Sequence, residues 1–192
     1  MAEQQKRRSK REELIQAGIA DINRYGLSGL SIRHVADSCG VSCAAPAKHF
    51  GDRNGFIAAI IDYVNTQWHA RQAQIMEANR QSTRAQLLEL SVAYVQFLVE
   101  NPHFRSILML KDDVFDNTYH KKRGELSSLT QKLIGKYCQE VHMDEDTRIR
   151  KQYVIRALIF GAALMFDNGE MTYNPNMLNM VRACIDREFD LP

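Results

Sequence analysis

The sequence predicts an all-α protein, with an N-terminal three-helix helix-turn-helix domain followed by a helical bundle. Three observations lead there. Only four prolines and ten glycines interrupt 192 residues, so long helices are available. Alternating Val-Thr-Tyr runs of the kind that mark strands are hard to find. Stretch after stretch instead places its apolar residues at helical spacing.

The first stripe is Leu14, Ile15, Ile19, Ile22 and Tyr25, with Gly26 as its stop. Ser31 then precedes Ile32, Val35, Ala36 and Cys39, as an N-cap precedes a helix. Gly40 closes that short helix. Ser42 is the next cap candidate, opening a third helix of about two turns that Gly51 ends. With Ser42 as cap, Cys43, Ala44 and Ala45 take the first three positions and Pro46 the fourth, where it forfeits the first helical bond. The connection between the second and third helices is so short that the two must cross steeply, with Val41 in the angle and Ala36 leaving room.

Asp52 can cap a fourth helix, carrying Phe56, Ile57, Ile60, Ile61, Val64 and Trp68 and running toward Ala78. A fifth carries Leu87 to Leu98 and stops at Asn101-Pro102. Phe104 to Leu110 follow. A segment from about Val114 to Val141 is expected to be interrupted at Lys121-Lys122-Arg123-Gly124. Ile149 to Phe166 makes the most apolar long helix, and Met177 to Phe189 the last amphipathic one. The domain boundaries are set at 1–52 and 53–192.

Composition narrows the class. Apolar residues are 45% and charged residues 25% of a 22.0 kDa chain, which suits a soluble globular protein. No apolar run approaches the roughly 18 residues of a membrane span, and the basic N-terminus has no apolar core behind it, as a secretory signal would. Cys39, Cys43, Cys138 and Cys184 are too sparse for a disulfide framework, so a cytoplasmic protein with reduced thiols is expected. The net charge of +2 is uneven. Lys6, Arg7, Arg8, Lys10 and Arg11 crowd the start, a basic arm suited to phosphates.

Other chemistry finds little footing. Cys39, Cys43 and His49 are a conceivable ligand trio, but Cys39 lies on an apolar stripe and no fourth ligand is near, so no metal is expected. His69, His103, His120 and His142 are scattered, without a nucleophile and base in a readable arrangement, and no glycine-rich phosphate loop occurs. Neither an enzyme nor a cofactor is expected.

The stretch LSIRHVADSCGVSCAAPAKHFGDRNGF resembles the helix-turn-helix of the TetR/AcrR family of transcriptional regulators. The likeness runs from Leu14 to Ile61 and is carried by Leu30-Ser31-Ile32, Val35-Ala36, the turn Gly40-Val41-Ser42, and His49-Phe50 followed by Arg53. The resemblance implies that Ser31 and Arg33 meet backbone phosphates. It implies that Ser42, Cys43, Ala44 and Ala45 begin the recognition helix and face base edges, that Lys48 and His49 end it near phosphate, and that Arg53 touches the backbone. The family commonly has tyrosine where this chain has Ala47.

The same resemblance implies a homodimeric repressor on a palindromic double-stranded operator, with effector binding and dimerisation in the C-terminal part and no membrane partner. Trp68, Tyr94, Phe97, Phe104, Met109, Phe115, Tyr119 and Met165 are candidates to line a pocket for a small apolar or aromatic effector. Ile155, Ile159, Ala162, Met177, Val181 and Ile185 are candidates for the dimer interface. The rival expectation, raised by Ala47, is an all-helical small-molecule-binding protein whose DNA binding is weak or lost.

Overall fold

The computed structural model describes residues 9–102 and 117–190, with the backbone alone for 117–127. The described residues form helices α1 (Lys10–Tyr25), α2 (Ile32–Ser38), α3 (Ala45–Phe50), α4 (Arg53–Ala78), α5 (Thr83–Glu100), α6 (Asn117–Glu140), α7 (Glu145–Asp167) and α8 (Pro175–Glu188). No strand occurs among them, so the all-α reading holds.

The helix ends follow from side-chain chemistry. Ser9 Oγ accepts from the Glu12 amide at 3.2 Å and Ser31 Oγ from the His34 amide at 3.3 Å. Ser82, Asp144 and Asn174 do the same for α5, α7 and α8, at 3.2, 2.8 and 3.0 Å. Each cap serves an amide that has no partner within its helix. Asp52 Oδ1 likewise accepts from the Gly55 amide at 2.8 Å and fixes the start of α4.

Two compact units result. The first holds residues 9–66 and 117–122, the second residues 67–102 and 123–190. In the first unit, Leu14, Ile15 and Ile22 of α1 bury against Val35 of α2 and against Phe56, Ile57, Ile60 and Ile61 of α4. The early turns of α4 thus complete the N-terminal core, and the division by packing falls at Thr66, after the sequence-based boundary at 52. Ala36 is fully buried, and Val41, half-buried, packs on this core from the angle between α2 and α3. Gly40 makes that angle possible with φ +64°, a left-handed conformation that a Cβ penalises.

In the second unit α5 is central, packing on both α7 and α8, which also pack on each other. Leu87, Leu90, Val95 and Leu98 are buried accordingly. The C-terminal end of α8 is tied down by polar bonds. The Tyr137 hydroxyl donates to the Phe189 carbonyl at 2.6 Å, and Lys151 Nζ to the Asp190 carbonyl at 2.7 Å. Arg84 reaches Asp186 Oδ1 at 2.8 Å and Asp190 Oδ1 at 2.7 Å.

Two expectations are corrected. α6 runs unbroken from Asn117 to Glu140, so Lys121-Lys122-Arg123-Gly124 does not interrupt it; one glycine costs a helix only about 1 kcal/mol. The start of α3 is also later than the capping rule predicts. Ser42 acts through its carbonyl, which accepts from the Ala45 amide at 2.9 Å and turns the chain through Cys43 and Ala44. The helix begins at Ala45, its cap Ala44 makes no side-chain bond, and Pro46 falls within the first two positions. No helical bond is forfeited there.

Candidate nucleic-acid interface

The α2–α3 pair sorts its side chains by face. Val35, Ala36 and Pro46 are buried, while Phe50 is half-buried and meets Phe56 with ring centroids 4.7 Å apart. Across the outer surface, Ser42, Cys43, Ala44, Ala47, Lys48 and His49 are exposed and Ala45 half-exposed. The expected recognition-helix residues are thus small or basic and, apart from half-exposed Ala45, exposed. Arg33 is exposed beside them, on α2.

Several expected contact residues also hold the scaffold. Ser31 spends its hydroxyl on the α2 cap, and its amide donates to Asp21 Oδ2 at 3.0 Å. The Arg53 guanidinium donates to the Leu27 carbonyl at 2.6 Å, tying the start of α4 to the α1–α2 connection. Arg11 lies over the Phe50 ring at 5.3 Å, a cation–π contact that fixes α1 against the end of α3. Lys10 pairs with Glu13 at 2.5 Å, which raises its pKa. Lys6, Arg7 and Arg8 lie outside the described residues. Cys39 is half-buried against the core, with Sγ 3.7 Å from the Glu13 carbonyl, and Cys43 is exposed.

Asp21 and His34 were not singled out by sequence. The Asp21 carboxylate is 4% exposed, and its Oδ1 lies 2.5 Å from His34 Nδ1. A carboxylate beside Ile22 on a buried helix face was the signal for it, because a buried acid needs partners.

The C-terminal candidates divide. Trp68, Tyr94 and Phe97 come together: Trp68 lies 5.1 Å from Tyr94 and 5.0 Å from Phe97, centroid to centroid. Burial pushes the Tyr94 hydroxyl up to about 12, against the opposing pull of Arg156. Met165 stands apart from this cluster, on the outer side of α7. Phe104, Met109 and Phe115, and the Tyr119 side chain, lie outside the described residues.

The interface candidates lie on two sides of α7 and α8. Ile155, Ile159, Ala162, Val181 and Ile185 are buried within the chain itself, and Met177 is half-buried. Ile155, Ile159 and Ile185 point into the chain's own core, whereas Ala162 and Val181 also line the groove between α7 and α8. Among the described residues, α7 and α8 also carry an exposed apolar stripe. A groove of about 340 Å³ between α7 and α8 is lined by Tyr153, Val154, Leu158, Met165, Met171 and Met180 among others, with Tyr153 73% exposed. No helix among the described residues is long and apolar enough to cross a membrane.

No family model matches the chain. Over 81 residues the sequence is 31% identical to the HTH-type transcriptional regulator BetI of Burkholderia thailandensis, a match spanning 42% of this chain and 42% of that protein. Among solved structures, the chain is similar to a protein of unknown function from Rhodococcus sp. RHA1, at TM-score 0.75 and 22% identity over 97% of both chains. It is similar to the TetR-family regulator PfmR of Thermus thermophilus, at TM-score 0.70 and 13% identity over 95% of this chain and 96% of that one. A TetR/AcrR-family regulator from Thermobifida fusca gives TM-score 0.64 at 15% identity over 95% and 99%. The fold is that of the TetR-type regulators: an N-terminal helix-turn-helix followed by a helical C-terminal part.

Proposed function

We propose that this chain is a DNA-binding transcriptional regulator, acting as a homodimeric repressor that a small apolar or aromatic effector releases. The observation that carries the reading is the α2–α3 pair. Its inner side is pinned to the core by Val35, Ala36 and Pro46, while Ser42, Cys43, Ala44, Lys48 and His49 are exposed and Ala45 half-exposed. A short helix with small residues at its leading end fits a major groove about 12 Å wide. Cys43 and the alanines offer few hydrogen bonds, so readout rests on apolar contact with thymine methyls and on DNA shape. Lys48, Arg33 and the unshared donors of Arg53 supply phosphate contacts. The match to BetI and the shared fold with TetR-type regulators support the same reading.

The outward apolar stripe of α7 and α8 is the surface on which two copies join. Four helices, two from each copy, would bury Tyr153, Leu158, Met165 and Met180. The effector's aromatic or apolar character rests on the expectation for the C-terminal part, where Trp68, Tyr94 and Phe97 pack against one another. In this reading the ligand shifts α4, with a coupling of about 1–3 kcal/mol between ligand and DNA.

The test is selection of duplexes from a random pool by the purified protein, followed by titration at several salt concentrations. Recovery of a consensus duplex whose affinity falls steeply with salt supports the regulator. Failure to enrich any sequence, with weak and unselective binding, overturns it and leaves the small-molecule-binding reading that Ala47 suggests.

A further inference from the structure

The Asp21–His34 pair has more geometry than a core contact needs. Asp21 is almost fully buried, and both of its carboxylate oxygens are occupied on the protein side. Oδ2 accepts from the Ser31 amide at 3.0 Å, and Oδ1 faces His34 Nδ1 at 2.5 Å. An ionised carboxylate can only accept, so Nδ1 carries the proton. The imidazole itself is not buried: its side chain is 55% exposed. With Nδ1 turned to Asp21, the free edge of the ring, bearing Nε2, is left for solvent or a partner. His34 follows Arg33 directly on α2, and both are exposed on the helix whose Arg33 is proposed to meet phosphate.

We propose that His34 binds a DNA backbone phosphate as an imidazolium, with Nδ1–H donating to buried Asp21 and Nε2–H donating to the phosphate. This rests on the DNA-binding reading above and adds a residue and a proton linkage to it. The protonation follows from the hydrogen count. With Nδ1–H committed to Asp21, a neutral ring has only a lone pair at Nε2, which repels a phosphate oxygen. A second proton makes Nε2 a donor and places a cation between two anions, an arrangement that favours the charged ring. DNA binding therefore takes up a proton at each engaged His34 that is neutral beforehand. Asp21 is the positioning residue: it holds the ring and supplies the inner anion.

Among the described residues, the groups around the ring are few. From α1 come Asp21 and Tyr25, whose ring stands at 77° to the imidazole with centroids 5.9 Å apart. Arg24 lies over the Tyr25 ring at 5.3 Å. α2 itself carries Arg33, Asp37 and, at its end, Cys39; α3, which also packs on α2, carries Lys48 and His49. The cations oppose protonation, and Asp21, with Asp37 and the phosphate, favours it. His49 is a second titratable group on the same surface, so the wild-type pH profile alone does not isolate His34.

The experiment uses the duplex selected by the wild-type protein. Its affinity is measured by fluorescence anisotropy at fixed ionic strength across roughly pH 5.5–8.5, the range in which imidazoles titrate. Wild type, His34→Gln, His34→Lys and Asp21→Asn are compared. The affinity of wild type is expected to fall as pH rises, by up to about tenfold per pH unit for each engaged His34. His34→Gln is expected to keep its melting temperature and lose that part of the slope. His34→Lys carries a permanent cation and is expected to lose it while binding more tightly than His34→Gln at high pH. Asp21→Asn, if it folds, is expected to show a shallower profile as well. Parallel profiles for wild type and His34→Gln overturn the proposal while leaving DNA binding intact. If wild type selects no duplex, the DNA-binding reading itself fails, and this inference with it.

Discussion

Gly55 stands so close to the Phe50 carbonyl that a Cβ added to it would lie 1.9 Å from that oxygen. Phe50 ends α3 and Gly55 lies in the first turn of α4, so this contact sets how α3 leaves the core. Helix propensity alone favours alanine over glycine at such a site by about 1 kcal/mol. The overlap is with backbone, which no rotamer change relieves, and overpacking of this kind costs about 1–3 kcal/mol or more. Gly55→Ala is therefore expected to destabilise the N-terminal unit and weaken DNA binding. Urea unfolding checks it, and an unchanged or raised midpoint would contradict the argument.

Pro46→Ala tests where α3 begins. If proline held the fourth position, alanine would restore a lost helical bond and stabilise the helix. Pro46 instead lies within the first two positions and is buried. Alanine then regains no bond, loses apolar burial and loosens the unfolded chain. The expected result is a loss of about 1 kcal/mol by chemical denaturation. A gain would return Pro46 to the helix interior.

The same segment shows what the sequence could and could not say. Helix identity is legible because apolar spacing and caps agree: Ser31 and Asp52 act where their residue types predict. The start of α3 was misread because Ser42 works through its backbone carbonyl, which carries no residue signature. The interface stripe is ambiguous in the sequence for a different reason. α7 is apolar on two faces, Ile155 and Ile159 inward and Tyr153 and Leu158 outward. Periodicity finds both stripes but does not say which one the chain covers itself. Asp21 and His34 were invisible as a pair because they meet across two helices.

Lys48→Ala separates DNA contact from folding. Lys48 is exposed on α3, so stability should move by no more than about 0.5 kcal/mol. A lost phosphate contact should weaken all duplexes about equally and reduce the slope of log affinity against log salt by about one per subunit engaged. Unchanged affinity and slope would remove Lys48 from the interface. Arg53→Ala is a less clean probe, because it also breaks the 2.6 Å bond to the Leu27 carbonyl.

Tyr94 predicts an alkaline limb of stability. Burial raises its hydroxyl from 10.0 to about 12, despite Arg156. The folded state holds this proton more tightly than the unfolded chain. The resulting stability is fully present below about pH 10 and is lost as pH rises to about 12, some 2–3 kcal/mol in all by the roughly 1.4 kcal/mol per unit of linkage. Tyr94→Phe cannot ionise. Its unfolding free energy should fall less steeply than that of wild type between about pH 10 and 12, and identical slopes would mean that the phenol reaches water freely.

The outward stripe of α7 and α8 makes the last prediction, on assembly. Tyr153 is 73% exposed in the single chain and adjoins Val154, Leu158 and Met165 around the α7–α8 groove. If two copies join there, a carboxylate at 153 would be carried into an apolar contact without a partner. Breaking a buried charge balance in that way costs about 3–5 kcal/mol, which shifts a dimer dissociation constant by a factor of hundreds or more. Tyr153→Glu should therefore sediment as a monomer at concentrations where wild type is a dimer. Ile185→Ala is the contrasting case. Ile185 is fully buried within the chain, so its truncation should cost about 2–5 kcal/mol of stability and leave folded protein dimeric at the same concentration. Sedimentation of both variants decides between the two stripes: dissociation by Ile185→Ala with Tyr153→Glu unaffected would put the interface back on the inward residues.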